Sequence, residues 1–195
     1  MTSSSQLIRS GLWRWLQGAG LERFELLRAG HEWILRGTIL TLTDAGPAEA
    51  RYEVACDALW HTQRAQVSVL DSDGQRSLQI SAVNGRWHEN GRENKTVEGA
   101  IDIDLGWTPS TNTFPIRRLH LGIGQSSGPL VAAWVRFPEL TLQPLSQDYL
   151  RISESVYRYS SRAGAFVAQI SVDDAGLVID YEGFWQREMR ANESR

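Results

Sequence analysis

Two aspartates stand two residues apart in the run Ile101-Asp-Ile-Asp-Leu105. On a strand, residues i and i+2 share a face, so alternation sets Ile101, Ile103 and Leu105 on one side and the carboxyls of Asp102 and Asp104 on the other. A carboxyl pair at that separation suits the acid and base of an inverting glycoside hydrolysis. The more ordinary reading is a solvated strand face, or carboxylates paired with basic neighbours, and hydrolysis stands as the alternative.

Downstream lies Thr108-Pro-Ser-Thr-Asn-Thr-Phe-Pro115, a hydroxyl- and amide-rich stretch bounded by prolines, which runs into Ile116-Arg-Arg-Leu-His-Leu121. Such side chains either satisfy the loop's own backbone or, at the mouth of a barrel beside an arginine fork, bind a polar head group. Asn112, Arg117 and Arg118 are the candidates for that second role, with Asp102 and Asp104 near them. If 116–121 is a strand, Arg117 shares the apolar face of Leu119 and Leu121, where a guanidinium must be paired or must line a wet cavity. A hairpin between 101–105 and 116–121 would then set Ile103 opposite Leu119 and Ile101 opposite Leu121. The same register places Asp104 across from Arg118, Asp102 across from His120 and Leu105 opposite Arg117. Arg117 would stand at the rim without a carboxylate.

The chain has eight tryptophans, among them Trp60 and Trp87, spread over nearly all the apolar segments. Most must fill core, but aromatic walls also define small-ligand pockets, and Tyr157 and Tyr159, two apart, join that candidate wall. No zinc-protease, phosphate-loop or nucleophile-elbow motif occurs, the four histidines are scattered singly, and no metal or cofactor is expected. Gly122-Ile-Gly124, with Gly128, misses the dinucleotide spacing.

The elements that must position these residues are strands. Alternation of period two recurs through Tyr52–Cys56, Val67–Val69 and Leu78–Ile80, and is punctuated by Asp73-Gly74, Asn84-Gly85, Asn90-Gly91 and Asp174-Ala-Gly176. That is the pattern of hairpins in an all-β sandwich or barrel. Trp13 and Trp15 flank Arg14, which favours a strand from about Leu12 over a helix. With 195 residues, 42% of them hydrophobic and a net charge of −3, the chain is expected to form one domain, 1–195, without the basic footprint of a nucleic-acid binder. The lone Cys56 forms no internal disulfide, and Met1 to Gln6 lacks the basic and apolar regions of a secretory signal, so the expected location is the cytoplasm.

Taken together, Gly99-Ala-Ile-Asp-Ile-Asp-Leu105, Thr108-Pro109, Thr111-Asn-Thr113 and Pro115-Ile-Arg-Arg-Leu119 resemble the signature of the putative glycolipid-binding family, a bacterial group formerly of unknown function. Cys56-Asp57, Trp60 and Arg64 upstream, and Tyr149, Tyr157-Arg-Tyr159, Val172-Asp173, Gly176-Leu-Val178 and Asp180-Tyr181 downstream, extend the resemblance over nearly the whole chain. It implies a single antiparallel barrel or incomplete barrel built from meanders, similar to the lipoprotein carriers of the bacterial envelope. It also implies a non-catalytic protein whose interior holds a glycolipid or fatty-acyl compound. Arg117, Arg118, Asn112, Asp102, Asp104, Trp60, Arg64, Trp87, Tyr157 and Tyr159 are the expected ligand contacts. A barrel filled by its own side chains, with a structural role, is a third reading.

Overall fold

The computed structural model describes residues 5–188; Met1–Ser4, part of the polar start on which the expectation about a leader rests, and residues 189–195 lie outside the described residues. The chain folds as two meanders. The first comprises β1 (Gln6–Trp15), β2 (Gly20–Ala29), β3 (Glu32–Thr43), β4 (Gly46–Cys56), β5 (Thr62–Asp71), β6 (Gly74–Val83), β7 (Arg86–Glu89) and β8 (Arg92–Glu93). The second comprises β9 (Asp102–Leu105), β10 (Leu130–Val135), β11 (Leu142–Arg151), β12 (Val156–Ser161), β13 (Phe166–Val172), β14 (Val178–Tyr181) and β15 (Trp185–Glu188). One helix, α1 (Thr113–Leu119), interrupts the second meander between β9 and β10. The strand at the N-terminus begins at Gln6, six residues before the expected Leu12.

Both meanders belong to one sheet with the order β8 to β1 followed by β15 down to β9. They are joined where β1 pairs antiparallel with β15, Leu12 opposite Glu188 through Trp15 opposite Trp185. The sheet curls but does not close into a barrel, the incomplete form of the expected architecture. Where the two free edges approach, side chains replace the missing ladder: Trp87 Nε1 donates to Ala100 O at 2.9 Å, and Asn94 Nδ2 donates to Leu142 O at 3.3 Å.

Apolar alternation explains the inner face of the first meander, where Val67 and Val69 on β5 and Leu78 and Ile80 on β6 are buried while their neighbours are not. One cross-strand row runs Gly11, Phe24, Gly37, Tyr52, Val67, Leu78. Here each glycine makes room for an aromatic ring. A Cβ on Gly11 would lie 2.7 Å from the Phe24 ring and one on Gly37 would lie 2.5 Å from Tyr52. The rings thus lie flat across neighbouring strands and fill the concave side. Phe24 also stacks on Trp13 at 3.7 Å, and Trp13 Nε1 donates to Val178 O across the junction of the meanders.

The segment expected to be a loop and strand takes another path. From the end of β9, residues 106–119 turn back into the concavity of the sheet as a 3-10 turn, Ser110–Asn112, followed by α1. Thr108, Ser110 to Asn112 and Thr113 to Ile116 are all buried. Pro115 sits in the first helical turn, where its missing N–H is not needed, and His120 ends the helix in a left-handed conformation (φ 46°).

The expected hairpin register is therefore overturned. β9 pairs with β10, and in parallel, with Ile103 opposite Ala133 and Asp104 opposite Trp134. Leu119, His120 and Leu121 are not strand partners of Ile101 to Leu105. Helix won over strand because residues 113–116 are buried in an unbroken block, which alternation on an open face does not allow.

Adding a methyl group at Gly37 is expected to destabilise the fold by about 1–3 kcal/mol through overpacking, since the hydroxyl of Tyr52 is tethered and its ring cannot retreat. Urea denaturation of Gly37→Ala should show the loss, and in a Tyr52→Ala background the same change should cost much less.

Candidate functional site

In an antiparallel meander every second turn lies at the same end. The turns after β1, β3, β12 and β14, together with the ends of β9 and β10, therefore meet at one end of the curled sheet. That end carries a cleft of two adjoining chambers. The smaller, about 190 Å³, is lined by Asp104, Thr108, Asn112 and Ser161, with Tyr159, Tyr181, Phe166 and Phe184 around them. The larger, about 370 Å³, is lined chiefly by Ile39, Leu42, Ala50, Trp107 and Phe137, with Thr41, Thr43 and Arg136. Trp15, Gly106, Trp134, Arg162 and Trp185 border both. The larger chamber falls within the range of small-molecule sites.

Gly106 has a steric reason: any Cβ there would collide with the indole nitrogen of Trp134. The indole thus lies against backbone at the junction of the chambers. On the other side, Tyr159, Phe166, Tyr181 and Phe184 pack edge-on to one another at centroid distances of 5.3–6.4 Å. Trp15 bridges to this group through Phe184 and Trp185.

Polar groups are anchored behind these rings. Tyr149 donates its hydroxyl hydrogen to Asn112 Oδ1 (2.9 Å) or Gln147 Oε1 (3.1 Å), and Asn112 Nδ2 donates to Pro109 O. Glu22 is fully buried; its Oε1 accepts from the hydroxyls of Tyr52 and Thr108. Its Oε2 has no partner among the described residues. Burial pushes the Glu22 pKa up to about 8, the bonds from Tyr52 and Thr108 offsetting only part of the cost.

Asp104 differs from its neighbour Asp102. Asp102 is gripped by Arg118 through two bonds, Nε to Oδ1 at 3.0 Å and Nη2 to Oδ2 at 2.6 Å, the carboxylate being buried and the guanidinium largely so. Asp104 keeps part of its surface on the cleft, and no donor reaches its carboxyl among the described residues. Protein surrounds it on every other side, so desolvation pushes its pKa up to about 7, helped by the negative charge of Asp102.

The structure thus brings three of the sequence candidates, Asp104, Asn112 and Tyr159, to one cleft. The others lie elsewhere. Arg118 and Asp102 form the buried pair just described, in place of the expected pairs Asp104 with Arg118 and Asp102 with His120. Arg117 is exposed and outside the cleft, with its guanidinium over Trp60 at 5.5 Å and one N–H donated to Asp174 O, so the expectation that it stands at a cavity rim is corrected. Trp60 stacks on Trp33, Arg64 forms a two-point pair with Glu32, and Trp87 is fully buried. Tyr157 is buried beneath Arg151.

Sequence reasoning missed Trp134, Trp185, Arg136 and Arg162. One signal was available: Trp15, Trp134, Tyr181 and Trp185 all sit within one residue of the same ends of their strands, and strand parity in a meander would have grouped them.

Comparison with known proteins agrees with this architecture. Residues 11–187 match the family model described as putative glycolipid-binding. The chain belongs to that family. It is also similar to the crystal structure of a DUF1089 family protein from Pseudomonas aeruginosa, with a TM-score of 0.79 and 33% identity over 87% of this chain and 92% of that one. No curated protein matches. Among the described residues no helix is long and apolar enough to cross a membrane, and no group of three or more His, Cys, Asp or Glu is placed to hold a metal ion.

The two buried acids set a pH dependence. An acid whose pKa is raised by folding binds a proton in the native state where the unfolded chain has lost it. Its contribution is therefore present at low pH and is lost as pH rises from about 4 towards 7 for Asp104 and 8 for Glu22. Stability should fall over that window, by at most about 1.4 kcal/mol per pH unit for each group. Glu25 and Glu32, held below the usual carboxylate range by Arg36 and Arg64, act oppositely at lower pH. Urea denaturation from pH 5 to pH 8.5 should show the decline, and Glu22→Gln should flatten it, gaining on the unmodified chain as pH rises.

Proposed function

We propose that the cleft binds a single amphiphile, with a hydroxyl-rich head in the smaller chamber and an apolar part in the larger, and that the protein performs no chemistry on it. The division of the cleft carries this reading: the carboxyl, amide and hydroxyls of Asp104, Asn112, Thr108 and Ser161 gather among aromatic rings on one side of Trp134 and Gly106, and the aliphatic side chains Ile39, Leu42 and Ala50 lie on the other. Asp104, Asn112, Thr108 and Ser161 offer both donors and acceptors once Asp104 is protonated, which suits hydroxyls, while Tyr159 and Tyr181 present faces and edges for the C–H surface of a sugar ring. The family description points the same way. The chambers are too small to enclose a two-chain lipid, so the ligand is bound by its head and the adjoining part of its tail.

The competing hydrolase reading needs two carboxyls free to act. Asp102 is committed to Arg118 on both oxygens, and Asp104 is the one carboxyl of the pair that lines the cleft. A lone raised-pKa acid without a second group to activate water favours binding over cleavage.

Octyl glucoside below its micelle concentration should shift tryptophan emission saturably, while glucose and octanol, each matching one chamber, should bind more weakly. Trp134→Ala should weaken octyl glucoside binding by about tenfold or more, given the cost of truncating an aromatic anchor that the ligand would cover. Emission unmoved by octyl glucoside would exclude this assignment.

A further inference from the structure

Resting on that reading, we infer that the ligand carries an anionic group, a phosphate, sulfate or carboxylate, seated at the junction of the two chambers between Arg136 and Arg162. Both guanidiniums lie 5.4 Å from the centroid of the Trp134 ring, and Trp134 borders both chambers. Neither has a carboxylate partner among the described residues, a condition they share with Arg28, Arg86, Arg92, Arg117, Arg151 and Arg158; what sets these two apart is that both lie on one indole that borders the cleft. Two guanidiniums without carboxylates, gathered on one indole at the mouth of an aromatic cleft, offer the charge and the N–H donors that an anionic group takes.

The backbone supports the assignment. Arg162 and Ala163 adopt consecutive left-handed conformations, φ 53° and 54°, and neither is a glycine. Glycine would take either position with less strain, yet at 162 it would forfeit the guanidinium that this turn folds back over Trp134. The remaining charged group of the cleft does not oppose an anion. Asp104 lies near Asp102 on its own strand, Tyr149 on β11, Tyr159 on β12 and Tyr181 on β14 and shares the smaller chamber with Arg162, and burial favours its neutral form, which donates a proton to an anionic oxygen.

The test compares octyl phosphate, octyl glucoside and octyltrimethylammonium, all below their micelle concentrations, by tryptophan emission at pH 6.5. Octyl phosphate should bind about tenfold more tightly than octyl glucoside, the cation weakest of the three, and the phosphate preference should shrink with added salt. Arg136→Gln and Arg162→Gly should each reduce octyl phosphate affinity about five- to tenfold and octyl glucoside affinity by a clearly smaller factor, so that the preference for phosphate shrinks in both. Arg162→Gly also separates binding from folding: relief of strain predicts a urea midpoint equal to or above that of the unmodified chain. A lower midpoint with unchanged octyl phosphate affinity would assign Arg162 to the fold and overturn the proposal. Octyl glucoside binding with no preference for octyl phosphate would overturn the anion site while leaving the amphiphile reading intact. Failure of both to bind would remove both.

Discussion

A curled sheet has a concave face that must be filled, and in this protein an inserted segment rich in polar groups shares that space with the aromatic and aliphatic side chains of the strands. Residues 108–116 run through the concavity, bringing backbone amides and hydroxyls where aliphatic side chains would ordinarily pack. Burying polar groups is costly unless they are hydrogen-bonded, and most of those in this segment are, the hydroxyls of Ser110 and Thr113 being exceptions. That requirement accounts for Glu22, Tyr52, Gln147 and Tyr149, inward-facing polar residues on the surrounding strands that meet Thr108 and Asn112. It accounts for Thr111 as well, whose hydroxyl accepts from the amide of Leu105 where β9 ends. The inserted segment is long enough to occupy the middle and one end of the concavity, and the opposite end stays open as the cleft.

The Arg118 and Asp102 pair fits the same logic. It fastens the last turn of α1 to β9 from the inside, with both oxygens of the carboxylate and two nitrogens of the guanidinium used. A buried pair of this kind contributes less to net stability than to holding one arrangement, because desolvation cancels much of its attraction. Its electrostatic by-product reaches Asp104, two residues on, whose ionisation the neighbouring negative charge disfavours. A structural contact thereby tunes a group on the cleft.

How much of this was readable beforehand depended on which faces of each strand are covered. β5 and β6 alternate because one side meets the core and the other solvent, so their period was plain in Val67, Val69, Leu78 and Ile80. β9 alternates too, but both faces are covered, with Ile103 and Asp102 alike buried, and the pattern gave no hint that its carboxyls turn inward. Residues 113–119 were ambiguous for a different reason: seven residues make less than two helical turns, too few for a 3.6 period to separate from alternation. Of the cleft, Asp104, Asn112 and Tyr159 stood out as chemistry-bearing types. Trp134, Arg136 and Arg162 did not, since nothing local in their segments marks them; they matter through residues brought together from distant strands.

The junction of β1 with β15 joins residues separated by more than 160 positions, and Trp13 bonds to Val178 O across the same junction. Neighbouring hairpins of the first meander can form from local contacts as the chain emerges, each closing a loop of a few residues. The junction cannot. It waits for the thirteen strands between β1 and β15, and until then the stretch Leu12–Trp15 of β1 presents an unpaired edge. Folding order is thereby built into topology: this junction closes only after β15 has been made, and until then the β1 edge that it covers stays open and adhesive.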